Sequence, residues 1–472
     1  MSIVTLQLGQ FGNQLGYEFF NTVLDDIYCF HGKNTLRKKL AATNKYNYED
    51  AAFESFFYAT SDLPLARAVM IDTEAKVVDD VFTKAKMSKL WSYDPKCCIR
   101  KKRGSGNNWA LGYCMDGDQV LLEEIMDSVQ RQVEYCDRFS GFLLLMSLAG
   151  GTGSGLGTRC TEELRDRYPN SQIINEVVWP YSNGEVIVQD YNTILTLSHL
   201  YKASTGLIIL ENDKLHEICT RLLKIKNVGF HHINRVIAHK LAGVLLPSTC
   251  LQNQHSKRND YAGINIFGEI GEHLCSHTDY KLLNIIDIPQ IPDHSFDYTN
   301  YNWHGLLKHL HQMLIANAFM EENIKWEVKL PSPKALSQNK KLAKLSSGLP
   351  VHSDVMVNKS IANMLVIRGT EIDKADIGAF RDSRLYVNWM PNSSGLATRV
   401  NSRPYNKYEK SAFLLSNSQF CIPTINNVTE KAWNMFANRA YIHQYISNGI
   451  SEDDFIDSFA TAEQIITNYN KL

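Results

Sequence analysis

The run Gly150-Gly151-Thr152-Gly153-Ser154-Gly155-Leu156-Gly157 is the densest chemical signal in the sequence. Glycines let a backbone wrap closely around an anion, and the unpaired N–H groups at the start of a following helix point toward it. Thr152 and Ser154 add hydroxyl donors. The flanks give the run its meaning. Before it, Phe142 to Leu148 is almost continuously apolar, as a strand buried on both faces must be. After it, Leu156, Cys160 and Leu164 share one helical face, with Glu163 and Arg167 paired at i,i+4 on the other. A Walker A loop would end in Gly-Lys-Ser/Thr, which is missing. A dinucleotide fingerprint would place G-x-G-x-x-G on the first strand–helix unit, whereas these glycines lie on a much later one. A flexible linker would lack such structured flanks. The expectation is a phosphate-cradling loop in a nucleotide-binding protein.

The elements that position this loop alternate through the first half of the chain. Ile3 to Leu8 reads as a strand that runs directly into a helix striped by Phe11, Leu15, Phe19, Val23 and Ile27. Arg67 to Ile71 is a short strand ending on Asp72, Gln119 to Tyr135 is a helix, and Ile173 to Val178 and Leu207 to Leu210 repeat the buried-strand pattern. Strands separated by helices imply parallel βαβ units in a doubly wound sheet, which binds ligands beyond the carboxyl ends of its strands. In the second half, His255 to Asp260 reads as a polar loop and Lys334 to Pro350 as a mobile, solvated insertion. Ile361 to Arg368 is strand-like. From Val428 the pattern turns helical, with Trp433, Phe436, Ala440, Ile442 and Tyr445 as an apolar stripe and a further helix from Asp453 to Tyr469.

Composition narrows the class. The 472 residues, with 44% hydrophobic and 21% charged side chains, suit two or three globular domains. The 49 basic residues against 50 acidic ones offer no net attraction to nucleic acid or to a membrane, and no apolar stretch is long enough to cross one. Met1 to Leu8 reads as a strand rather than a signal peptide. The ten cysteines are scattered without a CxxC pair, so reduced, mostly buried thiols are expected instead of a zinc site or a disulfide framework.

Four blocks are familiar. Ser147 to Gly155 resembles the GGGTGSG signature of the tubulins, with Ala149 in place of its first glycine. Gly9-Gln10-Phe11-Gly12-Asn13-Gln14 is similar to their opening GQCGNQ, Ser105 to Ala110 to their AGNNWA loop, and Arg439 to Tyr445 to their RAFVHWY helix. The blocks lie in family order across nearly the whole chain; the match is weaker between Cys250 and Ser411. Met1 to Thr5, Trp303 to Leu310 and Tyr408 to Ser411 are most similar to the delta branch, and the end at Asn470-Lys471-Leu472 lacks the acidic tail of the alpha and beta branches.

The resemblance implies an α/β architecture: a doubly wound, mostly parallel GTPase domain over 1–250, an α+β intermediate domain over 251–418 and a C-terminal helical hairpin over 419–472. It implies GTP or GDP as cofactor, with Mg²⁺. Gln10, Asn107, Ser147, Gly150, Gly151, Thr152 and Gly153 then match the phosphate side, and Asp72 and Glu74 match acidic residues near the γ-phosphate and metal, which they would hold mostly through water. A solvated turn is the plainer reading of that acidic pair. Asn212 and Asn234 match asparagines that hydrogen-bond guanine, and Phe230 stands where a tyrosine stacks on the base. Phe11 takes the base-proximal cysteine position, or else faces the core as the start of its stripe. Glu185 is carried over on the ribose side, where Gln189 replaces a usual glutamate.

For hydrolysis, the family uses a glutamate that reaches the next subunit's nucleotide. If Leu274 marks that motif, Ser276 occupies its place; Glu272 is then the nearest carboxylate and Glu269 the fallback, with a plain surface carboxylate as the competing reading for both. The implied partners are other tubulin subunits by longitudinal contact and microtubule or centriole proteins, with neither nucleic acid nor membrane. The implied setting is the cytoplasmic cytoskeleton, at centrioles and ciliary basal bodies. A GTP-binding regulator or scaffold that never polymerises is the alternative.

Overall fold

A computed structural model of the chain describes residues 1–28, 48–101, 104–114, 119–184, 186–251, 261, 264–292, 295, 301–330, 357–391 and 395–472. Glu185 and the loops expected at His255 to Asp260 and Lys334 to Pro350 lie outside these residues.

Eleven strands form one sheet. In chain order they are β1 (Ser2–Leu8), β2 (Ala68–Asp72), β3 (Cys98–Arg100), β4 (Phe139–Ser147), β5 (Gln172–Trp179), β6 (Gly206–Glu211), β7 (Thr249–Cys250), β8 (Leu282–Ile288), β9 (Ser360–Gly369), β10 (Leu396–Asn401) and β11 (Lys410–Ser418). Across the sheet they run β3-β2-β1-β4-β5-β6-β8-β11-β9-β10-β7. Every pairing from β3 to β8 is parallel, which fits the α/β expectation. The pairings of β11 with β8 and β9 are antiparallel. Spatial order reverses chain order between β1 and β4, so the crevice beyond Leu8 and Ser147 is the switch point where such sheets bind ligands.

Both faces of the parallel region are covered, which explains the continuous apolar run in β4. Phe142, Leu144 and Met146 enter one core, while Leu143 and Leu145 enter the other. The first core packs under the helices Gly157–Arg167 and Gln189–Ala203 and the C-terminal pair Ile422–Ala437 and Glu452–Asn470. The second packs under the helices Gly9–Tyr28 and Phe230–Leu245. A third apolar cluster joins β8, β9 and β11 to the helix Trp303–Ala316. The described cysteines are unpaired, and no helix among the described residues is long and apolar enough to cross a membrane.

Two local expectations change. The C-terminal apolar stripe is not one helix: the helix from Ile422 stops at Ala437, and a four-residue helix resumes at His443. Arg439 takes left-handed backbone (φ 53°), its N–H bonds Phe436 O and the N–H of Ala440 bonds Met435 O, both at 2.9 Å. That is a Schellman stop built on arginine instead of glycine. Tyr441 is left-handed too, and Trp433 stays 49% exposed. The glycine run, for its part, enters its helix through a π turn, Thr152–Leu156, before regular α-helix begins at Gly157.

The helix Phe230–Leu245 packs within the second core, and its carboxyl end is captured from β9. Arg368, 1% exposed, donates from Nε to Gly243 O at 2.7 Å, from Nη1 to Pro247 O at 3.3 Å and from Nη2 to Leu246 O. The last carbonyls of a helix lack intrahelical partners, and one planar guanidinium satisfies several at once. Arg399 of β10 similarly engages Ser248 through its Oγ at 3.0 Å and its carbonyl. Arg368→Ala is expected to lower unfolding free energy by about 3 kcal/mol in urea titrations, with Arg368→Lys recovering only part of it. Equal midpoints for all three proteins would show that the clamp contributes nothing.

Candidate functional site

The crevice at the switch point is built by backbones in near contact. Gly9, which turns β1 into its helix, has φ +69°, and a Cβ there would lie 2.9 Å from Gly153 N. A Cβ on Gly155 would lie 2.1 Å from Trp109 O. The opening block, the Ser105–Ala110 block and the glycine run therefore interlock only because side chains are missing where they cross. Ala149 departs from the glycine pattern without a left-handed φ, so its methyl group is tolerated.

Hydroxyls join the glycine run to the Ser105–Ala110 block and to the turn after β2. Thr152 Oγ1 lies 2.5 Å from Thr73 Oγ1 and 2.9 Å from Ser105 Oγ. Ser154 corrects an expectation: its hydroxyl is fully buried and bonds the loop's own Gly150 carbonyl, so it stabilises the turn and is not a donor to an anion. Ser147, half-buried at the end of β4, accepts from Ala149 N at 3.3 Å.

The acidic pair behaves as two different groups. Asp72 ends β2 at 5% exposure; its Oδ1 accepts from Glu74 N at 3.1 Å, and its Oδ2 has no hydrogen-bond partner among the described residues. Burial pushes its pKa up to about 6 from an ordinary 3.8. Glu74 is exposed and lies over Gly104, where a Cβ would come within 2.6 Å of its Oε1. An orphaned buried carboxylate oxygen beside an exposed carboxylate is a hard-oxygen donor set that fits a hydrated Mg²⁺.

Around the start of the Phe230–Leu245 helix lies a cavity of about 280 Å³ lined by residues that include Gln10, Gln14, Lys84, Phe230 and Asn234. Asn234 is 1% exposed and its Oδ1 has no partner among the described residues; Phe230 is 57% exposed, leaving a ring face free. A flat, polar-edged ligand would find both a stacking surface and an amide there. Asn212 is buried at the first position of its helix and does not line this cavity. Phe11 takes the core-facing alternative, half-buried against the second core. Gln189 is buried and donates to Tyr181 O at 2.9 Å, so it braces the 181–184 turn. A larger cavity of about 650 Å³ shares Tyr17, Glu18 and His231 with this one, and neither is lined by a residue of the glycine run.

Glu269 and Glu272 lie elsewhere. Their segment is capped by Asn265, which accepts from Ser140 near the amino end of β4, whereas the glycine run leaves that strand's carboxyl end at Ser147. Seven residues of strand separate the two by roughly 23 Å. Glu269 is held by buried Arg399 in an ion pair; Glu272 is exposed.

One residue escaped the sequence reading. Asn192, wholly buried, uses all four hydrogen-bonding positions of its amide. Nδ2 donates to Asn107 O at 2.8 Å and Ala149 O at 2.7 Å, while Oδ1 accepts from Trp109 N at 3.0 Å and Tyr445 OH at 2.6 Å. Its signal was the polar content of a helix, Gln189–Ala203, that is buried on nearly every side, since buried amides must find partners.

Comparison with known proteins agrees with the blocks. The description "Tubulin/FtsZ family, GTPase domain" matches residues 2–220. The chain is 44% identical to "Tubulin delta chain" of Macaca fascicularis and to that of Homo sapiens, each over 100% of both chains. It is 26% identical to "beta-Tubulin at 65B" of Drosophila melanogaster, over 99% of this chain and 90% of that one.

The Asp72 carboxyl sets a pH dependence. The folded protein keeps its proton up to about pH 6, whereas the unfolded chain releases it near 3.8, so stability declines as pH rises through that window. Asp72→Asn should therefore stabilise the ligand-free protein by about 2 kcal/mol at pH 7.5, a gain that shrinks toward zero at pH 4. Denaturant titrations at the two pH values check this, and an equal effect at both would refute it.

Proposed function

The chain belongs to the tubulin family and resembles its delta members, and from that premise we propose a GTP-binding cytoskeletal subunit that acts at centrioles and basal bodies, supporting triplet microtubules and cilium assembly through longitudinal contact with other tubulin subunits. The observation that carries the nucleotide half of this reading is the buried Asn234 Oδ1, without a partner among the described residues, beside the exposed Phe230 ring. In this reading Phe230 stacks on guanine and Asn234 hydrogen-bonds its edge, while Asn212, outside this cavity, has its role at the start of its own helix. Gln10, Asn107, Ser147 and the backbone of Gly150, Gly151, Thr152 and Gly153 surround the phosphates. Asp72 and Glu74 hold the metal, largely through water, and a magnesium ion there would neutralise phosphate charge. Phe11 has its role in the core beneath the site.

For turnover, Glu272 is the carboxylate available to a neighbouring subunit, because Glu269 is engaged by Arg399 within its own chain. That engagement also favours a second reading, a regulator or scaffold that holds GTP structurally and does not polymerise. Addition of tubulin separates the two: stimulated GTP hydrolysis that disappears in Glu272→Gln, with nucleotide binding retained, supports the subunit reading. Incorporation and hydrolysis both failing in the unmutated protein supports the scaffold.

Nucleotide released from the purified protein should be GTP or GDP by mass spectrometry. Asn234→Asp should weaken guanine nucleotide binding by about tenfold or more through the lost amide donor. Retention of no guanine nucleotide by the unmutated protein would sink the reading.

A further inference from the structure

We propose that Asn192 is a positioning residue that sets the discrimination between GTP and GDP, and that Tyr445 of the C-terminal region tunes that discrimination through it. The inference rests on the guanine-nucleotide reading above and goes beyond it by naming a control point that touches no ligand.

Asn107 has left-handed backbone (φ 54°), a conformation uncommon for a residue with a side chain. The Asn192 amide holds its carbonyl. That backbone brings the Asn107 side chain over the glycine run, with Oδ1 3.9 Å from where a Gly150 Cβ would be. The same Nδ2 holds Ala149 O, the carbonyl just before the glycine run and two residues beyond the end of β4. One buried amide thereby sets the spacing between the Asn107 loop and the start of the glycine turn. In the guanine-nucleotide reading Asn107 matches the family asparagine that faces the terminal phosphate, so a change in this spacing would bear on GTP more than on GDP.

The acceptor side of the amide ties this spacing to the C-terminal segment. Oδ1 receives Trp109 N–H and the Tyr445 hydroxyl, and a carboxamide oxygen has two lone pairs, so both are used. Two further bonds follow the same route: Asn108 Nδ2 to Gln444 O at 3.2 Å and Tyr191 OH to Ala440 O at 3.0 Å. Tyr441 and Ile446, on the same segment, are exposed. A shift of this segment would be transmitted to Asn192 through hydrogen bonds of defined direction rather than through the pliable apolar core.

The test compares full-length protein with Asn192→Asp and Tyr445→Phe, using fluorescent GTP and GDP titrations together with thermal melting. Aspartate keeps the size of asparagine but turns two donors into acceptors facing two carbonyls. It should weaken GTP about tenfold or more while weakening GDP by no more than about threefold. Tyr445→Phe keeps the ring packing against Tyr191 and Phe455 and should shift the GTP-to-GDP ratio in the same direction by about threefold. Ser198→Ala supplies a control for stability alone. It removes the 2.9 Å bond from the same helix to Ser458, and should lower the melting temperature with the ratio unchanged. Equal weakening of both nucleotides in Asn192→Asp and Tyr445→Phe would make Asn192 a scaffold residue and overturn the proposal, as would unchanged ratios. If Asn192→Asp does not fold, the ratio in Tyr445→Phe decides. Absence of guanine nucleotide binding in the unmutated protein would overturn the functional reading and this inference together, whereas intact binding with an unmoved ratio overturns this inference alone.

Discussion

The three carbonyls held by Arg368 set the position of the helix on which the molecule is organised. A guanidinium stripped of water is costly unless its donors are used, and here it bonds the end of Phe230–Leu245 and lies 5.7 Å from the centre of the Tyr405 ring. The helix is rigid along its axis, so holding its carboxyl end also places Asn234, roughly 14 Å from Gly243 at 1.5 Å per residue. The cavity at one end and the second sheet region at the other thus share a single rod. Replacing the arginine with an apolar residue would orphan the carbonyls that end the helix, and the cavity wall would lose its reference point.

Two buried aspartates show how charge is divided between architecture and site. Asp287 on β8 is fully enclosed, yet its pKa is held below the ordinary value against the upward push of burial. Lys240 pairs with it, His239 is close by, and Gln290 donates at 2.9 Å. Burial in turn lowers His239 to about 4, so the histidine is neutral and the pair carries no net charge into the core. Among the described residues no cation acts on Asp72, and half of its carboxylate has no hydrogen-bond partner. The first arrangement closes on itself; the second is completed only by something that binds.

The sequence was most legible where local pattern and burial agree. The apolar stretch at Phe142 to Leu148 could only be a central strand, and the interrupted glycines after it could only serve close backbone approach. The stop after Ala437 was illegible because an arginine fills a position that usually announces itself as glycine. Ser154 and Thr152 are alike in sequence, yet one bonds its own loop and the other two neighbouring loops, a difference decided by tertiary contacts. Asn192 was hidden for the same reason: its four partners come from positions 107, 109, 149 and 445, and no periodicity links them. The Glu269–Arg399 pair spans 130 positions, so nothing near Glu269 announces that its carboxylate is engaged.

Asp72 Oδ2 and Asn234 Oδ1 are two enclosed acceptors without a protein donor among the described residues. Each unsatisfied buried group of this kind costs about 1–3 kcal/mol, a sizeable share of the 5–15 kcal/mol that stabilises a typical domain. A ligand that supplies a donor to both becomes, in energetic terms, part of the fold. The population of intact molecules then depends on ligand supply as well as on sequence, and newly made chains that outrun that supply are the ones most open to proteases.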